Sequence, residues 1–306
     1  MTGKRKKRLF SFVVALFTVC GIAAACIPGG AANTWRNVFT FFGLRDFSAA
    51  ADSAPLSIHV LDVGKADSIL IECGEDDLLV DGGTADRGGS VAAYLKRRGV
   101  TDLDAVVNTH PDDDHIGGLA DVLQTFPTAR YLSPDVPKQL IPSTEEYRSV
   151  QNVLKLKGIK EEHPSAGESF WAGKFLVQVL GPVTPGADTN NNSIVLKLTY
   201  GTVRFLLMGD AGTPEEKTLL GAGRDLSADV LKVGHHGSST STSQEFLDAV
   251  KPRYAAISVG YDTNKLPKLA VLQRLTDAGV TFFRTDVSGT LIFMTDGKNI
   301  TVKTEK

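Results

Sequence analysis

Six consecutive residues, His110-Pro111-Asp112-Asp113-Asp114-His115, place two imidazoles and three carboxylates directly behind the apolar run Ala105-Val106-Val107. Groups of this kind resist burial unless they find partners. The apolar run reads as a buried strand, the acidic segment as the loop at its end, and residues 116–126 as a helix. That order constrains the chain to a layered α/β fold with the cluster at a strand's carboxyl end, where sites in such folds gather. A turn that only capped the helix would need one Asp and neither histidine. A divalent cation is the simplest partner for so many lone pairs.

The cluster has company. The chain holds six histidines, at 59, 110, 115, 163, 235 and 236, and four of them fall in two motifs that each follow an apolar strand. The second motif is Val230-Leu231-Lys232-Val233-Gly234-His235-His236-Gly237-Ser238, and between the two lies Phe205-Leu206-Leu207-Met208-Gly209-Asp210, a lone Asp at the end of an apolar run. His59 alternates with apolar neighbours and His163 sits beside Pro164, so both read as structural. The sulfur-free mixture of imidazole and carboxylate favours zinc, with manganese as the alternative that the extra carboxylates bring, and one or two ions. The chemistry such a set supports is activation of water with polarisation of a phosphoryl or carbonyl oxygen. Asp112 and Asp114 are the candidates to accept the water's proton. Gly237, Ser238, Ser239 and Ser241 form a polar loop suited to a phosphate or oxyanion, or alternatively to capping a helix over 243–250. Lys232 reads as a surface ion-pair partner, with phosphate contact as its second reading.

These residues carry a resemblance that extends over roughly 56–303: Val60-Leu61-Asp62-Val63-Gly64, Asp67-Ser68, Val80-Asp81-Gly82-Gly83, the 110–118 block, Asn190-Asn191-Asn192-Ser193, Gly209-Asp210 and the 232–238 block, in that order. The chain resembles the metallo-β-lactamase superfamily, and within it the hydrolase-like domain of ComEC-type competence proteins. The resemblance implies a four-layer αββα sandwich with the site at one edge. It also implies a better metal position from Asp114, His115, Asp210 and either His235 or His236, and a poorer one from His110 and Asp112, bridged by Asp210. By the same resemblance, Asn192 and Ser193 stand where most members place a further histidine, and they join Ser238, Ser239 and Lys232 as candidate substrate contacts. The second His of the superfamily motif H-x-H-x-D-H is Asp112 here, as in the ComEC-type branch. Two departures from that branch are local: Lys65-Ala66 replaces Gln-Gly, and Leu266-Pro267-Lys268 replaces His-Pro-His.

Lys4-Arg5-Lys6-Lys7-Arg8 precedes an uncharged stretch from residue 9 to 27, which reads as a single membrane anchor or a signal peptide with the domain outside the cell membrane or secreted. Residues 28–54 read as a linker and 55–306 as one hydrolase domain. Strands are expected over 57–62, 68–73, 77–80, 174–180, 194–200, 203–208, 255–259, 281–284 and 290–295, and a glycine-terminated helix over 89–99. Cys73 is the one cysteine of that domain, so no internal disulfide forms there. With five of the 33 basic residues in the first 30 positions, the remainder carries 28 basic groups against 35 acidic, a net −7. Long duplex DNA demands clustered Lys and Arg; a short phosphodiester or nucleic-acid strand held at a cationic metal centre does not. The resemblance implies metal-dependent phosphodiester hydrolysis as the expected activity, with ester or lactone hydrolysis, or metal binding without turnover, as alternatives.

Overall fold

The computed structural model describes residues 54–261 and 263–306. The anchor or signal expected over 1–27, and the linker up to residue 53, lie outside the described residues. Among the described residues no helix is long and apolar enough to cross a membrane.

In chain order the strands are β1 (Leu56–Val60), β2 (Ile69–Cys73), β3 (Asp76–Val80), β4 (Ala105–Val107), β5 (Tyr131–Leu132), β6 (Glu161–Glu162), β7 (Ser169–Ala172) and β8 (Phe175–Gly181). They continue with β9 (Val195–Tyr200), β10 (Val203–Leu207), β11 (Val230–Lys232), β12 (Tyr254–Ile257), β13 (Thr281–Arg284), β14 (Leu291–Thr295) and β15 (Ile300–Thr304). One sheet runs β15-β14-β1-β2-β3-β4-β5-β6 and the other β13-β12-β11-β10-β9-β8-β7. The interior neighbours β3 and β4, and β10, β11 and β12, pair in parallel.

Side-chain alternation along these strands builds three apolar layers. Ile58, Ile71, Val80 and Val107 meet Val177, Leu196, Phe205 and Val230 between the sheets. On the outer face of the first sheet, Leu70, Leu79 and Val106 pack beneath Val91 and Leu95 of α1 (Gly88–Arg98), and beyond α2 (Asp113–Ile116) they meet Leu119 and Leu123 of α3 (Leu119–Thr125) and Val150 and Leu154 of α4 (Glu145–Lys157). On the outer face of the second, Leu206, Leu231 and Ala255 pack beneath Leu219 of α5 (Thr213–Gly221), Phe246 of α6 (Gln244–Val250) and Val271 of α7 (Leu269–Asp277). The layers are therefore α, β, β and α. Strands buried on both faces explain why the sequence shows apolar runs rather than a clean alternation.

The helix expected over 116–126 is two helices, α2 and α3, broken at Gly117-Gly118. A Cβ on Gly118 would fall 2.1 Å from the Gly82 carbonyl oxygen, so this bend lets the loop after β3 lie against the ligand-bearing segment. β5 and β6, two residues each, and the edge strand β15 escaped the reading because they are too short or too polar to show a period.

Asp77 and Glu72 sit directly opposite each other on β3 and β2. Burial, followed by the charges of Glu72, Asp104, Asp102 and Asp76, pushes the Asp77 carboxyl up to about 7. A carboxyl whose folded pKa is raised binds its proton more tightly in the fold, so stability falls as pH rises from about 4 toward 7. Asp77→Asn removes this loss. The variant is expected to match the native protein at pH 4 and to exceed it by about 1–2 kcal/mol at pH 8, after allowance for the partial exposure of the site. Urea unfolding midpoints at the two pH values check this; a variant that is no more stable at pH 8 would contradict the raised Asp77 carboxyl.

Candidate metal centre

Each ligand-bearing segment leaves the carboxyl end of a strand. Asn108, Thr109 and His110 follow β4; Asp112 immediately precedes α2 and Asp114 and His115 lie within it; Asp210 follows β10; and His235 and His236 follow β11. Four of these groups converge, with one donor atom from each of Asp114, His115, Asp210 and His236 lying within 4.8 Å of the rest. Asp210 is the hub: its Oδ1 is 3.3 Å from His115 Nε2 and its Oδ2 is 3.5 Å from His236 Nε2. His236 Nε2 also lies 3.4 Å from Asp114 Oδ2.

Hydrogen bonds behind the imidazoles aim them inward. His115 Nδ1 donates to Asp81 Oδ2 at 2.8 Å, and His236 Nδ1 donates to the Ser258 carbonyl at 2.9 Å. His110 Nδ1 lies 3.2 Å from Thr109 Oγ1 and 3.4 Å from Ser193 Oγ. With the Nδ1 atoms engaged, the Nε2 atoms of His110, His115 and His236 and Oδ1 of Asp210 are buried with no hydrogen-bond partner. Buried lone pairs without partners are strongly disfavoured, and partners placed behind the ring are what metal-ligating histidines require. The donor set fits a divalent cation.

The backbone carries strain at the same place. Asp81, His235 and His236 have φ of 59°, 48° and 51°, left-handed values that non-glycine residues adopt at a penalty of about 1–2 kcal/mol each. Strain of this kind persists where the surroundings over-determine it.

Charge reinforces the geometry. Burial acts to raise the Asp210 carboxyl, but His236 and His115 override it and hold it well below the usual carboxylate range. Burial likewise opposes, and Asp210 and Asp81 overcome, in driving the His115 imidazole well above its usual value.

The remaining candidates separate. His110 and His115 have ring centroids 4.1 Å apart, and Asp112 Oδ2 lies 3.6 Å from His110 Nε2 with its side chain 36% exposed. His235 Nε2 is 3.8 Å from Asp210 Oδ2, so His110, Asp112 and His235 border the tight cluster. Of the two adjacent histidines it is His236 that enters the cluster.

Two substrate-contact expectations need correction. Lys232 is not at the surface: it is buried, with Nζ 2.9 Å from Asp67 Oδ2 and 2.9 Å from the Val233 carbonyl. A carboxylate close by makes that burial tolerable. Asn192 is buried too, with Oδ1 accepting from the Gly186 N–H and Nδ2 donating to the Gly186 and Asp188 carbonyls. It staples its own loop. Ser193 Oγ accepts from the Asp210 N–H at 3.1 Å and so positions a ligand. Ser241 donates to the Gly234 carbonyl and Ser243 caps α6, which leaves Ser238 and Ser239 at the solvent-facing side of this loop. His59 and His163 are structural, bonded to Tyr94 and to Ser133.

Asp81, Thr109 and Asp67 were not singled out as site residues. Asp81 accepts hydrogen bonds from His115 Nδ1 and from the Thr109 N–H and hydroxyl. Its signal in the sequence was the same as that of Asp210, an acidic residue closing an apolar strand next to glycine.

Two sheets back to back, with histidines and carboxylates gathered at strand ends along one edge, define a metal-binding αββα sandwich. The chain belongs to the metallo-beta-lactamase superfamily, whose description matches residues 61–261. It is similar to competence protein ComA of Neisseria gonorrhoeae, 32% identical over 91% of this chain and 38% of that protein. Over 65% of this chain and 25% of that protein, it is 32% identical to ComE operon protein 3 of Bacillus subtilis. The chain thus spans well under half the length of these relatives. Among solved structures, CmlA, a diiron β-hydroxylase from Streptomyces venezuelae, superposes with a TM-score of 0.51 at 14% identity, covering 87% of this chain and 60% of that one, a likeness of fold.

Proposed function

We propose that the domain is a metal-dependent hydrolase that cleaves phosphodiesters, with short single-stranded nucleic acid as its preferred class of substrate. The observation that carries this reading is the set of buried, unpartnered Nε2 atoms of His110, His115 and His236 ranged around Asp210. When bound, the divalent ion supplies an acidified water and Lewis-acid polarisation of a phosphoryl oxygen. Asp114, His115, Asp210 and His236 hold it. His110, Asp112 and His235 hold a second ion more weakly. Asp112 is the most exposed carboxylate of the centre, at 36% against 19% for Asp114 and 3% for Asp210. It is therefore the one placed to accept the water's proton and pass it to solvent. Ser239 is the exposed hydroxyl of this loop available to a phosphoryl oxygen, with Ser238 beside it paired to Thr240 Oγ1 at 2.9 Å. The printed name of one relative, competence protein ComA, supports nucleic acid over other phosphodiesters, and the net −7 of residues 31–306 disfavours extended duplex.

The experiment loads the metal-free chain with zinc or manganese and follows a chromogenic phosphodiester, labelled single and double strands, and a panel of esters and lactones. Phosphodiester hydrolysis that chelation abolishes, with single strands cut faster than duplex, is the expected result. Activity that survives complete chelation, or a faster cut of duplex, contradicts this mechanism; hydrolysis confined to esters or lactones transfers the centre to that chemistry.

A further inference from the structure

Lys65 brings another cation to the rim of the same centre. It lies in the loop between β1 and β2, and its Nζ is 2.5 Å from Asp114 Oδ2, with the two side chains 27% and 19% exposed. That loop is pinned from two directions. The Asp67 N–H donates to the Asp114 carbonyl at 3.1 Å, and a Cβ added at Gly260 would fall 2.6 Å from Gly64 Cα and 2.8 Å from Lys65 N. The ammonium is therefore held at Asp114 by a fixed backbone. The carboxylate oxygen it pairs with, Asp114 Oδ2, is also the one 3.4 Å from His236 Nε2. One oxygen thus serves both the lysine and the ligand cluster.

A divalent cation drawn to that oxygen and an ammonium already on it repel each other at such separations. We propose that Lys65 is an internal counter-ion of Asp114 that gives way when the metal binds and then holds an anionic oxygen of the substrate beside the ion. The choice of a phosphoryl oxygen as that anion rests on the hydrolase reading above. A lysine suits both positions, because its charge is a compact point at the end of a flexible four-carbon stem and can move while the backbone stays fixed. Before loading, the ammonium offsets part of the repulsion between Asp114 and the neighbouring Asp210. After loading, an oxyanion at the ion is the group whose charge draws it.

The signature is a pair of opposite effects in one variant. Lys65→Gln removes the competitor, so zinc and manganese bind the metal-free chain more tightly, by about three- to tenfold. It also removes the donor, so inorganic phosphate binds the metal-loaded chain more weakly, by about tenfold. Lys65→Arg keeps the charge and returns phosphate affinity to near the native value. Calorimetric titration of the whole 306-residue chain, first with each metal and then with inorganic phosphate on the loaded protein, gives both readings without an activity assay. An unchanged metal affinity in Lys65→Gln, or an unchanged phosphate affinity on its loaded form, overturns the proposal. Metal bound by neither the native chain nor the variant overturns the centre itself, and this proposal with it. Normal metal binding with no Lys65 effect overturns only the role of Lys65 and leaves the hydrolase reading standing.

Discussion

Asp210→Ala is expected to strip the centre of metal, whereas Asp112→Ala keeps about one ion per chain. Both oxygens of Asp210 face histidine nitrogens, at 3.3 Å from His115, 3.5 Å from His236 and 3.8 Å from His235, so its removal damages the tight cluster and its neighbour together. Among the candidate ligands Asp112 pairs with His110, at 3.6 Å, from a half-open position. Loss of a residue that merely orients a ligand lowers metal affinity by about 10–100-fold. Loss of the shared ligand should exceed that range, while Asp112→Ala should stay within it. Metal content per chain by elemental analysis, after dialysis at equal free zinc, decides the matter, with circular dichroism to show that both variants are folded. Equal loss in the two would refute the ranking and return Asp210 to the status of one ligand among several.

The second large effect concerns the buried ion pair beneath the site. Lys232→Met is expected to lower stability by about 3–5 kcal/mol, because it leaves Asp67 charged and uncompensated in the core. Burial alone would raise the Asp67 carboxyl, but the Lys232 ammonium, assisted by His236 and His115, holds it below its usual range. A carboxylate with a depressed folded pKa contributes stability that is present above its unfolded pKa and lost as pH falls through the folded one. The gap between native and variant should therefore be full near neutral pH and shrink under acid conditions. Replacing both partners, Lys232→Met with Asp67→Leu, should recover most of the loss, since two apolar side chains of similar size need no compensation. Urea unfolding of the three proteins at pH 7 tests this as a double-mutant cycle. A single variant as stable as the native chain would show that the pair contributes nothing.

Much of the candidate site was legible in the residues themselves. Polar clusters at the ends of apolar runs announce themselves because strand cores are apolar and ligands are not, and this is why His110, Asp112, Asp114, His115, Asp210 and the adjacent histidines stood out together. The strand at 281–284 and the helix ending at Gly99 were readable for a similar reason: local chemistry, a β-rich run or a left-handed glycine cap, decides them locally. What sequence could not rank was anything set by contacts between distant segments. The choice between His235 and His236 depends on a carbonyl at Ser258, 22 residues further on, and on a backbone twist that both residues share. Lys232 reads as a surface cation until the fold brings Asp67 to it, since a charged side chain enters a core only when its partner arrives from elsewhere in the chain. Asn192 reads as a substrate contact until its loop closes on its amide. Asp81 and Lys65, one behind the ligands and one before them, take their roles from positions 34 and 49 residues away, at His115 and Asp114. Sequence alone determined which side chains were available for a metal and on which strand ends they stood; tertiary structure decided which of their atoms were left without any other partner, because only packing shows which hydrogen bonds are already made.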